Sequence, residues 1–336
     1  MIIGFMRNPK RPIALAKLIS LIAKPKGMEV LYFCADDVNI NTNKINGFIF
    51  VGDKWRRIET EIPKIIDVSY FCLKHSKVIR HLEKHAFLTA SNKNRISKEK
   101  LQYKLAEDPE FEENVIPSAA CSSIHTFEQF LTRYKNIVVK PISSQRGVGV
   151  YKISVNNARK ITIGYNKTSE EIAYEELEDF YNNKLKDKKH VMQKYVASST
   201  PQGDPFDCRV HLEKNGQGKW VIAKKYIRIG IGQKIISNVN QGGGVADAKV
   251  FLKANNQPDI AKKMLTELDQ LGLKLANKME ELRGVELANL GLDIGIENDG
   301  SLYVFEANTA PDISRLKAEV AMYRTDYYKY LIEHKA

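Results

Sequence analysis

Three oxygen-bearing side chains near the C-terminal end of this 336-residue chain have types and spacing that suit a hard cation: Asp293, Glu306 and Asn308. They lie in the run from Leu292 to Asn308, which reads as two strands around Asn298-Asp299-Gly300. With Asp299–Gly300 as a two-residue type I′ turn, Asn298 faces Ser301, and counting back along both strands puts Asp293 directly opposite Glu306. Residues two apart share a strand face, so Asn308 lies beside Glu306. Opposite Cβ atoms are then about 4.5–5.5 Å apart. The other face carries Ile294 opposite Phe305 and Ile296 opposite Tyr303, an apolar set suited to burial; a one-residue slip would scramble both faces. Two carboxylates held face to face repel each other, and a cation between them removes that cost. Asp, Glu and Asn supply only oxygen, which suits Mg²⁺ (or Mn²⁺) and not zinc, and Mg²⁺ completes its shell with phosphate oxygens. The ordinary alternative is a solvent-facing strand side that carries acids by chance.

A second group of residues suits phosphate. Asn136 to Pro141 reads as a strand rich in Val and Ile that ends in Lys140, where a buried ammonium is costly unless an anion compensates it. The loop that follows runs Ser143-Ser144-Gln145-Arg146-Gly147-Val148-Gly149. Its backbone N–H groups, little obstructed at Gly147 and Gly149, could cradle an anion beginning at Ser143. It is not a Walker A loop, because no Gly-Lys-Ser/Thr follows, and a plain hairpin turn is the default for so short a glycine pattern. No Ser-His-Asp or Cys-His arrangement stands out.

These residues need strands to hold them. Strands are expected at Ile2–Met6, Met28–Phe33, Gly47–Val51 and Ile66–Phe71, with a helix over Pro12–Lys24, which makes a small α/β unit of residues 1–90. A helix capped by Ser97 is expected to run to Ala106. The charged stretch Thr168–Lys186 reads as a solvated helix. Arg209–Glu213 and Lys219–Ile229 flank Asn215–Gly216, a hairpin signal. Ile260–Leu282 has a 3.6-residue period, and Leu316–His334 is expected to be helical.

Composition bounds the rest. Lys and Arg number 52 against 40 Asp and Glu, a net charge of +12, with 43% hydrophobic and 27% charged residues. That is ordinary globular usage and excludes a fibre or a disordered tail. The basic excess admits nucleic acid, a membrane surface or an acidic ligand as partner. The lysines are scattered and no nucleic-acid-binding signature is present, so nucleic acid is not expected. Four cysteines without CxxC spacing read as free thiols of a reducing compartment. No apolar stretch is long enough to span a bilayer, and a cytoplasmic location is expected.

The lysine strand, the glycine loop and the Asp…Glu-x-Asn set, in that order, resemble the ATP-grasp superfamily over about residues 90–315. Three runs resemble, within it, the ATP-grasp family associated with endospore coats (YheC/YheD-type). They are Leu105-Ala106-Glu107-Asp108-Pro109, then Phe206-Asp207-Cys208-Arg209-Val210 leading to Trp220, and Ser237-Asn238-Val239 with Gly242–Gly244. The stretch is also similar to glutamate-adding ligases of that superfamily.

The resemblance implies an α+β/α/β architecture. An ATP-grasp fold of two subdomains, residues 91–196 and 197–336, would clasp ATP and follow a Rossmann-like domain of residues 1–90. It implies Lys98 as the first ATP lysine, with Lys100 and Lys104 as rivals, and Lys140 as the second. Gln193-Lys194-Tyr195-Val196 would be the hinge against adenine, and Asp207 the ribose acid. Arg209 and Arg228 would meet phosphate or acyl-phosphate oxygens, and Asn238 the reacting groups. Asp293, Glu306 and Asn308 would hold Mg²⁺. Asp207 and Arg209, two apart on one strand, could equally pair with each other, and Arg228 could be a surface cation. The implied reaction joins a small-molecule or peptide carboxylate to an amine through an acyl phosphate, releasing ADP. An ATP-grasp phosphotransferase and a non-catalytic nucleotide-binding spore-coat component are the alternatives, and oligomeric state stays open.

Overall fold

Alternating strand-forming and helix-forming runs at the N-terminus build a seven-stranded sheet. Its strands are β1 (Ile2–Met6), β2 (Glu29–Phe33), β3 (Val38–Asn39), β4 (Lys44–Val51), β5 (Lys54–Glu61), β6 (Ile65–Val68) and β7 (Phe87–Leu88), in the order β3-β4-β2-β1-β6-β7 with β5 on β4. The four strands β2, β1, β6 and β7 are mutually parallel. Helix α1 (Ala14–Ala23) buries Leu15, Ala16, Ile19 and Ala23, and the chain turns out of it at Gly27, whose φ of 77° is left-handed. Helix α2 (Ser76–Leu82) leads back to β7. This computed structural model describes residues 1–142, 149–165, 168–230 and 243–336, with only the backbone of residues 98 and 99.

Helix α3 (Lys98–Ala106) starts where expected, with the Ser97 hydroxyl accepting from the Lys100 amide. A six-stranded antiparallel sheet follows. Its strands are β8 (Ser118–Ala120), β9 (Asn136–Pro141), β10 (Tyr151–Val155), β11 (Lys160–Tyr165), β12 (Thr168–Ala173) and β13 (His190–Lys194), in the order β12-β11-β10-β9-β13-β8. Helices α4 (Ile124–Tyr134) and α5 (Leu177–Phe180) contribute Phe127, Leu131 and Leu177 to its core. The solvated helix expected over Thr168–Lys186 is replaced by β12 and short helical turns. Residues Thr168 to Ala173 pair one for one with β11, so a ladder to a neighbouring strand wins over a charged run with weak helical periodicity.

The third sheet has β14 (Phe206–Lys214), β15 (Trp220–Ile229), β16 (Gly244–Asp247), β17 (Asn289–Ile296) and β18 (Leu302–Asn308), in the antiparallel order β16-β15-β14-β17-β18. Helices α6 (Ala248–Asn255) and α7 (Pro258–Arg283) cover one face, and α8 (Lys317–Lys335) closes the chain. Strand β17 reads Leu-Gly-Leu-Asp-Ile-Gly-Ile from residue 290, a period-two pattern. Leu290, Leu292, Ile294 and Ile296 are at most 2% exposed in a core shared with Leu268, Leu275 and Ala276 of α7. Each such side chain stabilises the fold by roughly 1.5–3 kcal/mol. Leu101, Leu105 and Phe111 belong to this same core, so the segment containing α3 packs on the third sheet. Among the described residues no helix is long and apolar enough to cross a membrane, and all four cysteines are buried and free.

Helix α8 packs against α1 and ties the first sheet to the third through buried charge. Asp67 accepts from Arg7 Nη2 at 2.8 Å and from the Tyr328 hydroxyl at 2.5 Å. Arg324 lies 3.6 Å from Asp67 and donates from Nε to Glu213 at 3.2 Å, while His211 Nε2 is 2.8 Å from Glu213. Burial pushes the Asp67 carboxyl up, but Arg7 and Arg324, with the hydrogen bonds from Tyr328 and Arg7, outweigh it and hold the carboxyl below its ordinary value. A depressed carboxyl contributes stability that is complete above about pH 3.9 and is lost as pH falls through the folded value. Acidification below pH 4 is therefore expected to lower the melting temperature, and Asp67→Asn should remove part of that acid slope. Calorimetric scans between pH 2.5 and 6 that gave both proteins the same slope would refute this assignment.

Candidate functional site

Asp293 and Glu306 are directly opposite each other across β17 and β18, with Asn308 opposite Gly291. The route to that register differs from the expected one. The turn is one residue longer: the Glu297 amide donates to Ser301, and Gly300 takes a φ of 92°. Ile294 therefore faces Val304, not Phe305, and Ile296 faces Leu302, not Tyr303. A bulge between Asp293 and Ile294 restores the original count. An extra residue on one strand bends it and re-aims a side chain, here Phe305. Val304 and Ala307 stay with the core, while Phe305 lines the opposite face near Glu306.

Glycines make room on this face. A Cβ on Gly295 would lie 2.3 Å from Phe305 Cζ, so the ring lies across this glycine. A Cβ on Gly291 would lie 2.6 Å from Pro311, so the loop after Asn308 lies against the sheet there.

The same face carries a chain of alternating charge. Arg209, opposite Asp293 in the β14–β17 register, donates from Nε to Oδ1 and from Nη2 to Oδ2 at 3.1 Å. Arg228 is 3.0 Å from Asp293 Oδ2 through Nη2 and donates from Nε to Asp207 at 2.7 Å. Asp207 thus pairs across the strands with Arg228, and Arg228 is a half-buried member of the network. Burial opposes both guanidinium charges, and the aspartates outweigh it and raise both above the ordinary value.

Asp293 accepts three hydrogens on two oxygens that offer about four lone-pair sites, so one direction of Oδ1 remains for a cation. Among the described residues no group of three or more His, Cys, Asp or Glu could hold a metal by itself. The Asp293, Glu306 and Asn308 set is two carboxylates and an amide, all hard oxygen, and fits Mg²⁺ only with further donors such as phosphate.

Lys140 comes to this site from the second sheet. Ile137 and Val139 are fully buried, while Val138 and Lys140 face a cavity of about 210 Å³ with Ile116, Gln193, Tyr195, Val196 and Phe305. Lys194, also at this cavity, donates to Glu297 at 3.0 Å and to the Tyr303 hydroxyl at 3.1 Å. Glu297 also accepts from the Ala197 amide, so it fastens the segment that follows β13 to the end of β17. The Lys194 and Tyr195 amides donate to the Pro117 and Asn136 carbonyls. Lys152 Nζ sits 3.7 Å over the Tyr195 ring.

Gly149 has a φ of 76°, and a Cβ there would lie 2.9 Å from Pro141. Ser143, Gly147 and Asn238 lie outside the described residues, as does the Lys98 side chain. The backbone places Lys98 at the start of α3, one turn before Gln102, whose amide donates to the Val304 carbonyl. Lys104 pairs with Glu107 at the surface.

Residues 88–335 match the family described as YheC/D-like ATP-grasp. The chain belongs to that family. Among curated proteins, this ATP-grasp chain is 23% identical over 328 residues to the endospore coat-associated protein YheD of Bacillus subtilis, a match covering 92% of the chain and 71% of that protein. It is 22% identical over 301 residues to YheC of the same organism, covering 85% and 81%. Among solved structures, the ATP-grasp ligase PsnB, complexed with precursor peptide PsnA2 and AMPPNP, aligns over 98% of both chains at 11% identity and a TM-score of 0.55. The C-terminal domain of Pby1 from K. lactis, an ATP-grasp enzyme interacting with the mRNA decapping enzyme Dcp2, aligns over 97% and 91% at 10% identity and a TM-score of 0.54. At such identities these are likenesses of fold, and the fold is ATP-grasp.

Proposed function

We propose that the protein is an ATP-dependent carboxylate–amine ligase that works through an acyl phosphate and releases ADP and phosphate. The observation that carries this reading is the meeting of two sheets. Lys140 and the 193–196 hinge line one cavity with Phe305, and the next residue, Glu306, faces Asp293. In this reading residues 1–90 form a substrate-binding unit ahead of the two ATP-grasp units, 91–196 and 197–336. The base lies against Phe305, Tyr195 and Val196, with Asp207 toward the ribose. Lys140, Lys98 and the loop from Ser143 through Gly147 to Gly149 take the phosphates.

Asp293, Glu306 and Asn308 would hold Mg²⁺ or Mn²⁺, which when bound supplies positive charge beside the phosphates. Asp293 and Asp207 fix the two guanidinium groups of Arg209 and Arg228, so these donors are oriented before substrate arrives. A carboxylate oxygen forms a bond to the γ-phosphorus while the bond to the ADP oxygen breaks. The amine nitrogen then bonds to the acyl carbon, phosphate leaves with the C–O electrons, and the amine proton is released. Asn238 is the proposed polar group beside the reacting atoms. No protein nucleophile is required, so positioning and charge do the work. A cytoplasmic, spore-associated setting agrees with four buried free thiols and with the names of the relatives.

The test is a screen of carboxylate–amine pairs for phosphate release, with Glu306→Gln as the blank. ADP and an amide product, formed only with both substrates, are expected. AMP as the product would overturn the reading, and a phosphorylated alcohol would replace it with a phosphotransferase.

A further inference from the structure

Along β18 the features of the site fall in order: Phe305 at the 210 Å³ cavity, then Glu306 and Asn308, then Thr309, Ala310 and Pro311, which line a second cavity of about 360 Å³. At a rise of roughly 3.3 Å per residue, Asn308 lies about 10 Å from Phe305. The second cavity therefore opens on the side of the acidic pair away from the proposed base site. Its opposite wall is the first sheet. Arg7 follows β1, Ser69 follows β6 and Thr89 follows β7. These are the carboxyl ends of parallel strands, and β1 has β2 on one side and β6 on the other. Open α/β sheets bind ligands at such a point.

Asp312 also lines this cavity, where its carboxylate accepts from the Ser314 amide and hydroxyl. Arg7 and Arg324 are matched by Asp67 and Glu213. Arg283, at the end of α7, is 2% exposed; its Nη2 donates to the Ser91 and Lys93 carbonyls, and its Nε has no hydrogen-bond partner. Among the described residues no carboxylate pairs with it. Burial pulls this guanidinium below its ordinary value; Tyr70 offsets this in part and Arg95 adds to it. A buried cation left without a counter-ion is costly, and an anionic ligand in the cavity would remove that cost.

We infer that the cavity between Ser69, Thr89, Arg283 and Pro311 is the second-substrate site, and that Arg283 is the counter-ion of a carboxylate on a small acid bound there. The inference rests on the ligase reading for what the acid does, but its binding can be measured without turnover. The probes are glutarate, its neutral isostere glutaramide, and MgADP, each titrated into the full chain at constant chloride while the melting temperature is followed. Ligands that bind only the native state stabilise it by RT ln(1 + c/Kd) at free ligand concentration c, so the melting temperature rises with the logarithm of ligand concentration above Kd.

Glutarate is expected to raise the melting temperature, with a logarithmic dependence on its concentration, and glutaramide is not. Arg283→Gln should weaken glutarate by roughly 10–100-fold, the loss of a charged hydrogen bond, and leave the MgADP shift unchanged. Because Arg283 also holds two carbonyls, Ser69→Phe is the companion variant: it fills the cavity from the first sheet while keeping the Arg283 side chain that bonds those carbonyls, and it should abolish the glutarate shift. Equal shifts from glutarate and glutaramide, no glutarate shift in the wild type, or a glutarate shift that survives both variants would overturn the inference. A glutarate response without a MgADP response would sink the ligase reading and leave this site standing.

Discussion

Asp293→Asn is expected to lose both turnover and stability, whereas Glu306→Gln should lose turnover alone. The two carboxylates face each other, yet their surroundings differ. Asp293 is 6% exposed and carries Arg209 on both oxygens and Arg228 on one. An Asn side chain there is neutral and replaces one oxygen with a donor, which takes the anion from buried Arg209 and leaves half-buried Arg228 with Asp207. Removing one partner of a buried pair costs about 3–5 kcal/mol, so the melting temperature should drop by several degrees. Glu306 sits on the rim strand and is half-buried, and Gln keeps its size. Both variants remove a hard-oxygen anion where phosphate charge is to be neutralised, and each should reduce ATP turnover by at least about 10²-fold. Scanning calorimetry and phosphate release on the same preparations decide the matter. An Asp293→Asn protein that melts with the wild type would refute the arginine clamp, and full turnover in Glu306→Gln would remove the cation from the proposal.

The β17–β18 hairpin shows how far sequence reasoning reaches. The pairing of Asp293 with Glu306 was legible because period-two alternation from Leu290 to Ile296 fixes which side is core, and the Asp-Gly dipeptide marks the turn. The turn length and the bulge were not legible. Each changes the count by one residue and they offset, so a two-residue turn with no bulge and a longer turn with one give the same acidic pair. What distinguishes them is Phe305, placed by the bulge on the site face rather than in the core. Glycines at 291 and 295, flanking Asp293, carried that signal, since they leave room for a ring and a loop to lie on the sheet.

The buried network of Arg7, Asp67, Glu213 and Arg324 brings residues 257 positions apart into contact, and Arg283, with no carboxylate paired to it among the described residues, bonds to a carbonyl 192 positions away. No local pattern announces them. Asp207, Arg209 and Arg228 were legible as candidates, but which acid meets which base depends on the register of three strands. Strand β12 was missed for the same reason, because its partner and not its own composition makes it a strand.

Gly295→Ala is expected to damage nucleotide binding while leaving the acidic pair and the fold in place. Gly295 has ordinary backbone angles, so alanine is not excluded by conformation. The added carbon would lie 2.3 Å from Phe305 Cζ, 2.8 Å from Cε1 and 3.0 Å from Val196 Cγ1. Behind the strand is a filled core with Ile294 and Ile296 at most 2% exposed, so the sheet cannot retreat, and the phenyl ring is the part that can move. The open space beside it is the 210 Å³ cavity that Phe305 and Val196 both line. A ring displaced into that space occupies the place proposed for the base. Overpacking of this kind typically costs 1–3 kcal/mol, which at the binding step is roughly a 5–150-fold weaker affinity. MgADP titration should show the loss, the KM for ATP should rise, and the melting temperature without nucleotide should change little. An unaltered MgADP affinity in Gly295→Ala would mean that the base does not lie against Phe305, and the hinge reading of residues 193–196 would fall with it.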